Sequence, residues 1–367
     1  MKKLNKLFAI LVAMAMVLSL TAVSAFAATT NTEKKGAAIE KIMKMPKGVD
    51  PAGSVTITAT LQTVDGASPQ TAVTLSDTID LAKANAVLAD TTSDPATDIY
   101  YYGTEDLLDS FNPTSGGHYV FKITETANVD TTGLENATVK NDTTEYQLTV
   151  NVNSEKEVKS VYIGTDANKK ELYDTITSAN ATKVADDGTS FVNSVTQVRP
   201  GDSYDNSAFK VMKEVKGADE NDIADKTTRF EIEVTVNLPD TDGAKAEFVT
   251  TGETTQTSPI TKSGTFTVKL ADGERLYFTS IPVGAQVSTK ETDARAQANG
   301  DYIKAGEQAL ANITADNKLG GTITNTHKDT GNTGILMSNL PYIVLALVAI
   351  GGMVAYVVVR RRNADEA

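Results

Sequence analysis

Cysteine is absent from all 367 residues. The chain therefore holds no disulfide and no thiolate metal site. Histidine is nearly absent too: His118 and His327 are the only two. That argues against an imidazole-built metal cluster and leaves no credible Ser-His-Asp arrangement. Glycine-rich phosphate loops are missing. Paired acids such as Asp219 and Glu220 sit in polar loops and read as solvated surface. No cofactor, metal or turnover of an external substrate is expected. Basic charge is in deficit, 34 residues against 47 acidic ones, for a formal net charge of -13. A general basic surface for nucleic acid is therefore disfavoured. Aromatics make up only 6% of the chain, while Thr, Ser, Asn and Asp abound. Such a composition fits an extracellular β protein with a modest core.

The two ends are the clearest part of what is present. Lys2, Lys3 and Lys6 precede an apolar run and the small-x-small triplet Ala25-Phe26-Ala27. This is the pattern of a secretory signal peptide over residues 1–27, cut after Ala27. At the other end, residues 335–359 carry no charge and are long enough to cross a bilayer as one helix. Arg360, Arg361 and Arg362 follow, so residues 360–367 are expected inside the cell and the rest outside.

Between the ends, strand signals dominate. "SVTITATL", "YQLTVNV", "RFEIEVTVNL" and "GTFTVKL" each alternate apolar and polar side chains. Side chains in a strand alternate between two faces, so each segment has one face for a core. Many short alternating strands joined by Gly, Asp and Asn turns indicate antiparallel sandwiches. A helical period shows only weakly, around "IDLAKANAVLA" from Ile79. The strand pattern breaks at "QVRPGDSYDNSA". The expected architecture is all-β: two tandem immunoglobulin-like sandwiches, residues 32–198 and 203–328, a linker at 329–334, and one C-terminal membrane helix.

The two halves repeat each other. "KIMKMPKG" from Lys41 aligns without gaps to "KVMKEVKG" from Lys210, which matches Lys44 to Lys213 and Gly48 to Gly217. In "FKVMKEVKG" the alternation puts Lys213 on the apolar face of Phe209, Val211 and Val215. Similar misfits recur. Glu291 shares a face with Val287 and Thr289, and Asn325 with Ile323. In the first half Glu125 follows Tyr119, Phe121 and Ile123, Asn193 lies between Phe191 and Val195, and Lys44 lies between Ile42 and Pro46. Each half thus offers a lysine, a glutamate and an asparagine, in that order, all six expected to point inward.

Burying a lone lysine or glutamate costs several kcal/mol unless it is paired or neutralised. A buried ion pair beside an asparagine would explain the pattern. So would a strand phase wrong by one residue, which sends each group to solvent. A third explanation is chemical. An apolar site lowers a lysine pKa and frees a nucleophilic amine. A carboxyl group in the same site is pushed the other way, can polarise the asparagine carbonyl, and can shuttle protons. Held together, amine and amide react as an intramolecular pair, losing ammonia to leave an isopeptide bond.

The segments "FKVMKEVKG", "LADGERLYFTSIPVGAQVSTKET" and "TITNTHKD", with "HYVFKITET" and "FVNSV" in the first half, resemble the Gram-positive major pilins whose CnaB-like domains carry intramolecular isopeptide bonds. The similarity is greatest to their two-domain, group A streptococcal type. The resemblance implies a bond from Lys213 to Asn325 with Glu291 as catalytic acid, and from Lys44 to Asn193 with Glu125. It further implies a sortase, like subunits joined head to tail, and attachment to cell-wall peptidoglycan. Sortase substrates of that family carry Leu-Pro-x-Thr-Gly. Here only Thr333-Gly334 of the segment "TGNTG" matches, with cleavage expected between them. The acceptor lysine is expected late in the first domain, at Lys183, Lys169 or Lys170. The function expected is a structural pilus shaft subunit. An anchored adhesin that binds a host ligand through a long loop at residues 68–110 is the alternative.

Overall fold

In the computed structural model, residues 36–164, 170–218 and 225–328 are described. The expected signal peptide, the Thr333-Gly334 segment, the membrane helix, the arginine tail and Lys169 lie outside the described residues. Among the described residues, no helix is long and apolar enough to cross a membrane.

The regular structure of the described chain is almost entirely strand. Its first part contains β1 (Glu40–Pro46), β2 (Gly53–Val64), β3 (Thr74–Asp80), β4 (Leu88–Asp90), β5 (Thr97–Gly103), β6 (Gly117–Val129), β7 (Ala137–Lys140), β8 (Tyr146–Val152), β9 (Val158–Ile163), β10 (Lys170–Glu171), a short helix α1 (Ala181–Asp186) and β11 (Phe191–Pro200). Its second part contains β12 (Phe209–Lys216), β13 (Phe230–Asn237), β14 (Glu247–Thr250), β15 (Glu253–Thr254), β16 (Gly264–Leu270), β17 (Arg275–Pro282), β18 (Gln286–Glu291), β19 (Tyr302–Ala305), β20 (Ala311–Asn312) and β21 (Leu319–His327).

In each part, the first and last long strands lie side by side and run parallel: β1 with β11, and β12 with β21. They belong to one sheet of their sandwich. The facing sheets are ordered β10-β9-β8-β6-β2-β3 and β15-β16-β13-β18-β20. The alternation explains the second core directly. Phe230, Ile232, Val234 and Val236 of β13 are buried and their neighbours are not. A fully buried side chain of this size stabilises by roughly 1.5–3 kcal/mol.

β1 departs from that simple rule. Ile39, Lys41, Met43 and Met45 face the sandwich interior. Ala38 and Ile42 pack on the opposite side against Ile176, Ala181 and Val184, under α1. Both faces of this strand are buried, so its alternation carries no phase. Residues 68–110, expected as a possible binding loop, instead supply β3, β4 and β5. β5 pairs with β1 along its whole length. The weak helical period there resolves into a single 3-10 turn at Lys83–Asn85.

β11 does not stop at the end of the first sandwich. Val198, Arg199 and Pro200 pair with Pro282, Ile281 and Ser280 of β17, so one sheet runs through both parts. Side chains reinforce the junction. Thr196 Oγ1 donates to Thr241 Oγ1 at 2.7 Å, and Asp240 N donates to Thr97 Oγ1 at 2.6 Å. Gly284 packs against the first sandwich with φ +88°, where an added Cβ would lie 2.5 Å from Ala96 O and 2.6 Å from Lys47 N. Both the backbone conformation and the close approach require glycine.

Gly284→Ala should therefore loosen the junction, by about 1–3 kcal/mol. The check is amide hydrogen exchange. Val283 N–H, bonded to Gln197 O at 2.8 Å, should exchange faster while the amides of β13 keep their protection. Unchanged exchange at Val283 would show that the junction does not depend on this contact.

Candidate functional site

The second sandwich assembles its site from three strands. On β12, Phe209, Val211, Lys213 and Val215 are all buried, and Lys213 is fully so. Lys213 lies opposite Ile323 in the parallel ladder, which places Asn325 two residues further along β21 on the same face. Glu291 ends β18 on the facing sheet, opposite Ile232, and reaches across the core. Its Oε2 lies 3.1 Å from Lys213 Nζ, and its Oε1 accepts from Asn325 Nδ2 at 2.6 Å. The Lys213 and Glu291 side chains have no exposure at all.

The surroundings are apolar. Val215, Phe230, Ala296 and Tyr302 form a small cluster beside the triad, and Lys213 Nζ sits 4.8 Å from the centre of the Phe230 ring. Burial pushes the Lys213 ammonium down from 10.5 to about 8, against the opposing attraction of Glu291. The backbone of Glu291 is held from both sides. Its N–H donates to Glu307 Oε1 at 2.6 Å, and its carbonyl accepts from Lys304 Nζ at 2.9 Å and from Gln297 Nε2 at 3.0 Å.

The first sandwich repeats the arrangement with a different lysine. Lys41, not Lys44, faces the interior, and its Nζ lies 2.7 Å from Glu125 Oε2, with side chains 0% and 1% exposed. This is a close ion pair whose direction is not that of a hydrogen bond. Glu125 Oε1 accepts from Asn193 Nδ2 at 2.7 Å. Glu125 comes from β6 on the facing sheet, opposite Ile57. Burial pushes Lys41 down to about 8 as well, again against the pull of Glu125.

The ladder shows why Lys41 is the counterpart of Lys213. Lys41 lies opposite Phe191, and Asn193 is two residues further on. Lys213 lies opposite Ile323, and Asn325 is two residues further on. Lys44 instead points to the other side of β1, half-buried, and pairs with Asp240 at 2.6 Å across the junction. The expected Lys44 site is thereby corrected to Lys41. The gapless alignment failed because the shared glycines lie at different distances from the inward-facing lysine. Only the pairing register, Lys41 opposite Phe191, separates the two lysines. A second correction concerns the amides: in both triads the carboxylate meets the asparagine nitrogen rather than its carbonyl oxygen.

The lysines expected as acceptors lie away from both triads where they are described. Lys183 is exposed on α1. Lys170 reaches the Asp187 carbonyl and lies 3.8 Å from its carboxylate. His118 Nδ1 is 2.7 Å from Asn151 Oδ1. Among the described residues no three His, Cys, Asp or Glu side chains are grouped to hold a metal ion.

A protein-family model described as a domain of unknown function (DUF7601) matches residues 207–327, which span the second triad. No curated protein matches the chain. Among solved structures, a major pilin from Streptococcus pyogenes is 18% identical, covers 80% of this chain and 98% of its own, and superposes with a TM-score of 0.28. A second major pilin from that organism, T3.2, is 14% identical, with coverages of 80% and 99% and a TM-score of 0.29. An adhesin from Mobiluncus mulieris, described as containing intramolecular disulfide, isopeptide and ester cross-links, is 13% identical, with coverages of 82% and 93% and a TM-score of 0.22. The likeness is remote and extends to pilins and adhesins alike, so it does not single out the streptococcal backbone-pilin type.

The depressed lysine makes a measurable pH signature in Asn193→Ala, where Lys41 keeps its ion pair with Glu125. Between about pH 8 and 10.5 the unfolded chain binds a proton at Lys41 that the folded chain has lost. Stability therefore rises with pH through that window, by at most ~3 kcal/mol, and is lost as pH falls through 8. Urea unfolding at both ends of the window, compared with Asn193→Ala/Lys41→Met, isolates the effect. An equal rise in both variants would overturn the assignment to Lys41.

Proposed function

We propose that the two triads form intramolecular isopeptide bonds, Lys41 to Asn193 and Lys213 to Asn325, with Glu125 and Glu291 as the proton-transferring residues. The observation that carries this reading is the repetition. Two separate cores place lysine, glutamate and asparagine in one ladder register, with a carboxylate from the facing sheet touching both reactants. A buried ion pair alone explains a lysine and a glutamate. It does not explain an asparagine at the same offset on the other carboxylate oxygen in both halves.

The chemistry follows from the contacts. The lysine amine loses a proton to the near carboxylate oxygen and attacks the asparagine Cγ. The other carboxylate oxygen lies on the amide nitrogen and supplies its proton as the C–N bond breaks. Ammonia leaves, an amide remains, and the remaining proton of the lysine ammonium stays on the glutamate. The buried ion pair thus ends as a neutral amide and a neutral carboxyl group, and the desolvation cost of both charges goes with it. No cofactor is needed, and the protein turns over no external substrate.

The proposed role is structural. The chain is an exported surface protein, held by its C-terminal helix, then joined through Thr333 by a sortase to a like subunit or to peptidoglycan. Each bond would tie the first strand of a sandwich to its last. By analogy with a disulfide closing a loop of this size, each would add roughly 5 kcal/mol through loop closure. The kinetic effect is larger, because unfolding under load or protease attack would require breaking a covalent bond. A host-binding adhesin stays compatible with the same cross-links. It lacks its expected loop, however, since residues 68–110 are built into the sheets.

Intact mass decides the bonds: the chain should be lighter than its sequence by two ammonia molecules. Lys41→Ala or Glu125→Ala should restore one, Glu291→Ala the other, and Lys44→Ala neither. A full sequence mass in the unmutated chain would sink the proposal, and restoration by Lys44→Ala would return the first site to that lysine. For polymerisation, surface extracts on a denaturing gel should show a ladder of covalent multimers that disappears in Thr333→Ala. A single band in the unmutated protein would favour the adhesin.

A further inference from the structure

The two triads differ at the asparagine oxygen. Asn193 Oδ1 accepts a hydrogen bond from the backbone N–H of Asp142 at 2.7 Å. Asn325 Oδ1 has no hydrogen-bond partner among the described residues. A backbone N–H can only donate, so it fixes the orientation of the Asn193 amide. The oxygen must face Asp142, and Nδ2 must face Glu125 Oε1 at 2.7 Å and Asn141 Oδ1 at 3.4 Å.

The turn that carries this N–H is held to the strand it serves. Asp142 lies between β7 and β8. Its Oδ2 accepts from Val192 N at 2.8 Å, and its Oδ1 accepts from Thr144 N at 2.8 Å. Val192 immediately precedes Asn193 on β11. One carboxylate thus closes its own turn and clips it to the reacting strand. Half-burial pushes this carboxyl up, but the hydrogen bonds from Thr144 and Val192 outweigh it and hold the group below the usual carboxylate range.

We infer that the turn from Asn141 to Thr144 is an oxyanion-stabilising element of the first site, with Asp142 as the residue that positions it. The inference rests on the proposed bond formation. When Lys41 Nζ attacks Asn193 Cγ, the carbonyl electron pair moves onto Oδ1, where the Asp142 N–H already points. The proton released by Nζ passes to Glu125 and from there to Nδ2. The C–Nδ2 bond then breaks, the electron pair on Oδ1 reforms the carbonyl, and ammonia departs. Asn141 Oδ1 steadies the departing nitrogen. A donor placed on the developing charge before reaction costs no reorganisation during it. The second site works without such a donor and serves as an internal control.

The test follows both bonds in one molecule. The full chain, recovered unfolded and never previously folded, is refolded, quenched at intervals, and mapped by peptide mass for each cross-link. Asp142→Ala keeps the backbone N–H but removes both clips. It should slow closure of the first bond at least ~10-fold, within the range for loss of an oxyanion donor, and leave the second unchanged. Asp142→Asn retains an acceptor oxygen and should restore most of the rate, which separates positioning from the charge of Asp142 on Lys41. If the unmutated chain closes both bonds and Asp142→Ala closes the first equally fast, the inference is overturned. If the unmutated chain never loses ammonia from the first sandwich, the bond itself is refuted. Should Asp142→Ala fail to fold, Lys41→Met gives a second measurement. There the Asp142 amide should be protected from hydrogen exchange by Asn193, and free exchange would overturn the inference.

Discussion

A glutamate that crosses the core from one sheet to meet a lysine and an asparagine on the other is the contact on which each sandwich depends. Facing sheets pack about 10 Å apart, so only a long side chain in the correct phase spans the gap. Glu125 does so from its place opposite Ile57, and Glu291 from opposite Ile232. Any slip of register by one residue would turn the carboxylate to solvent and leave a lysine charge alone in an apolar core. Such a charge costs several kcal/mol. The triad therefore penalises incorrect strand pairing in the same step that brings the proposed reactants together. Correct folding and the geometry of the proposed reaction are one arrangement.

The second triad was legible in the sequence because β12 buries only one face. Phe209, Val211 and Val215 fix the phase, and Lys213 follows from it. Glu291 and Asn325 also lie on strands with a single apolar face. The same holds for Glu125 and Asn193 in the first half. The first lysine was not legible by that route, since α1 and Ile176 cover the outer side of β1 and make Ile42 as buried as its neighbours. With both faces apolar, alternation offers Lys41 and Lys44 equally. The pairing register decides between them, and register is a property of two strands. The strands within residues 68–110 were hidden for another reason. β3 alternates weakly because it forms an edge of its sheet. Asp142 acts through a backbone N–H, which no side-chain pattern reports.

The parallel pairing of first and last strands has a mechanical consequence. Tension applied to the two ends of such a sandwich would shear β1 along β11 and β12 along β21. Each proposed bond lies inside that shear plane, two residues along the ladder from the lysine. Load would pass from Lys41 to Asn193, through the strand that continues to Pro200, and on to Lys213 and Asn325. The strands between each pair would stay outside the load path. The continuous sheet at Val198–Pro200 serves the same path, because it gives the unbonded stretch between the two cross-links a hydrogen-bonded partner in β17.

The two triads reach one geometry with different supports. In the first, the asparagine is held: a backbone N–H fixes its oxygen, and Asp142 clips that N–H to β11. In the second, the glutamate is held: Glu307, Lys304 and Gln297 fix its backbone on both sides, while the asparagine oxygen has no donor among the described residues. The difference follows from where the glutamate sits. Glu125 lies inside β6, and its pairing with β2 runs on to Val129, although β8 pairs only as far as Ile123. Glu291 is the last residue of β18, beyond the short pairing with β20. A strand end frays unless its free N–H and carbonyl find partners, and here side chains from the following segment provide them. The reactants are common to both sites, and each supporting shell compensates for the particular weakness of its own strand order.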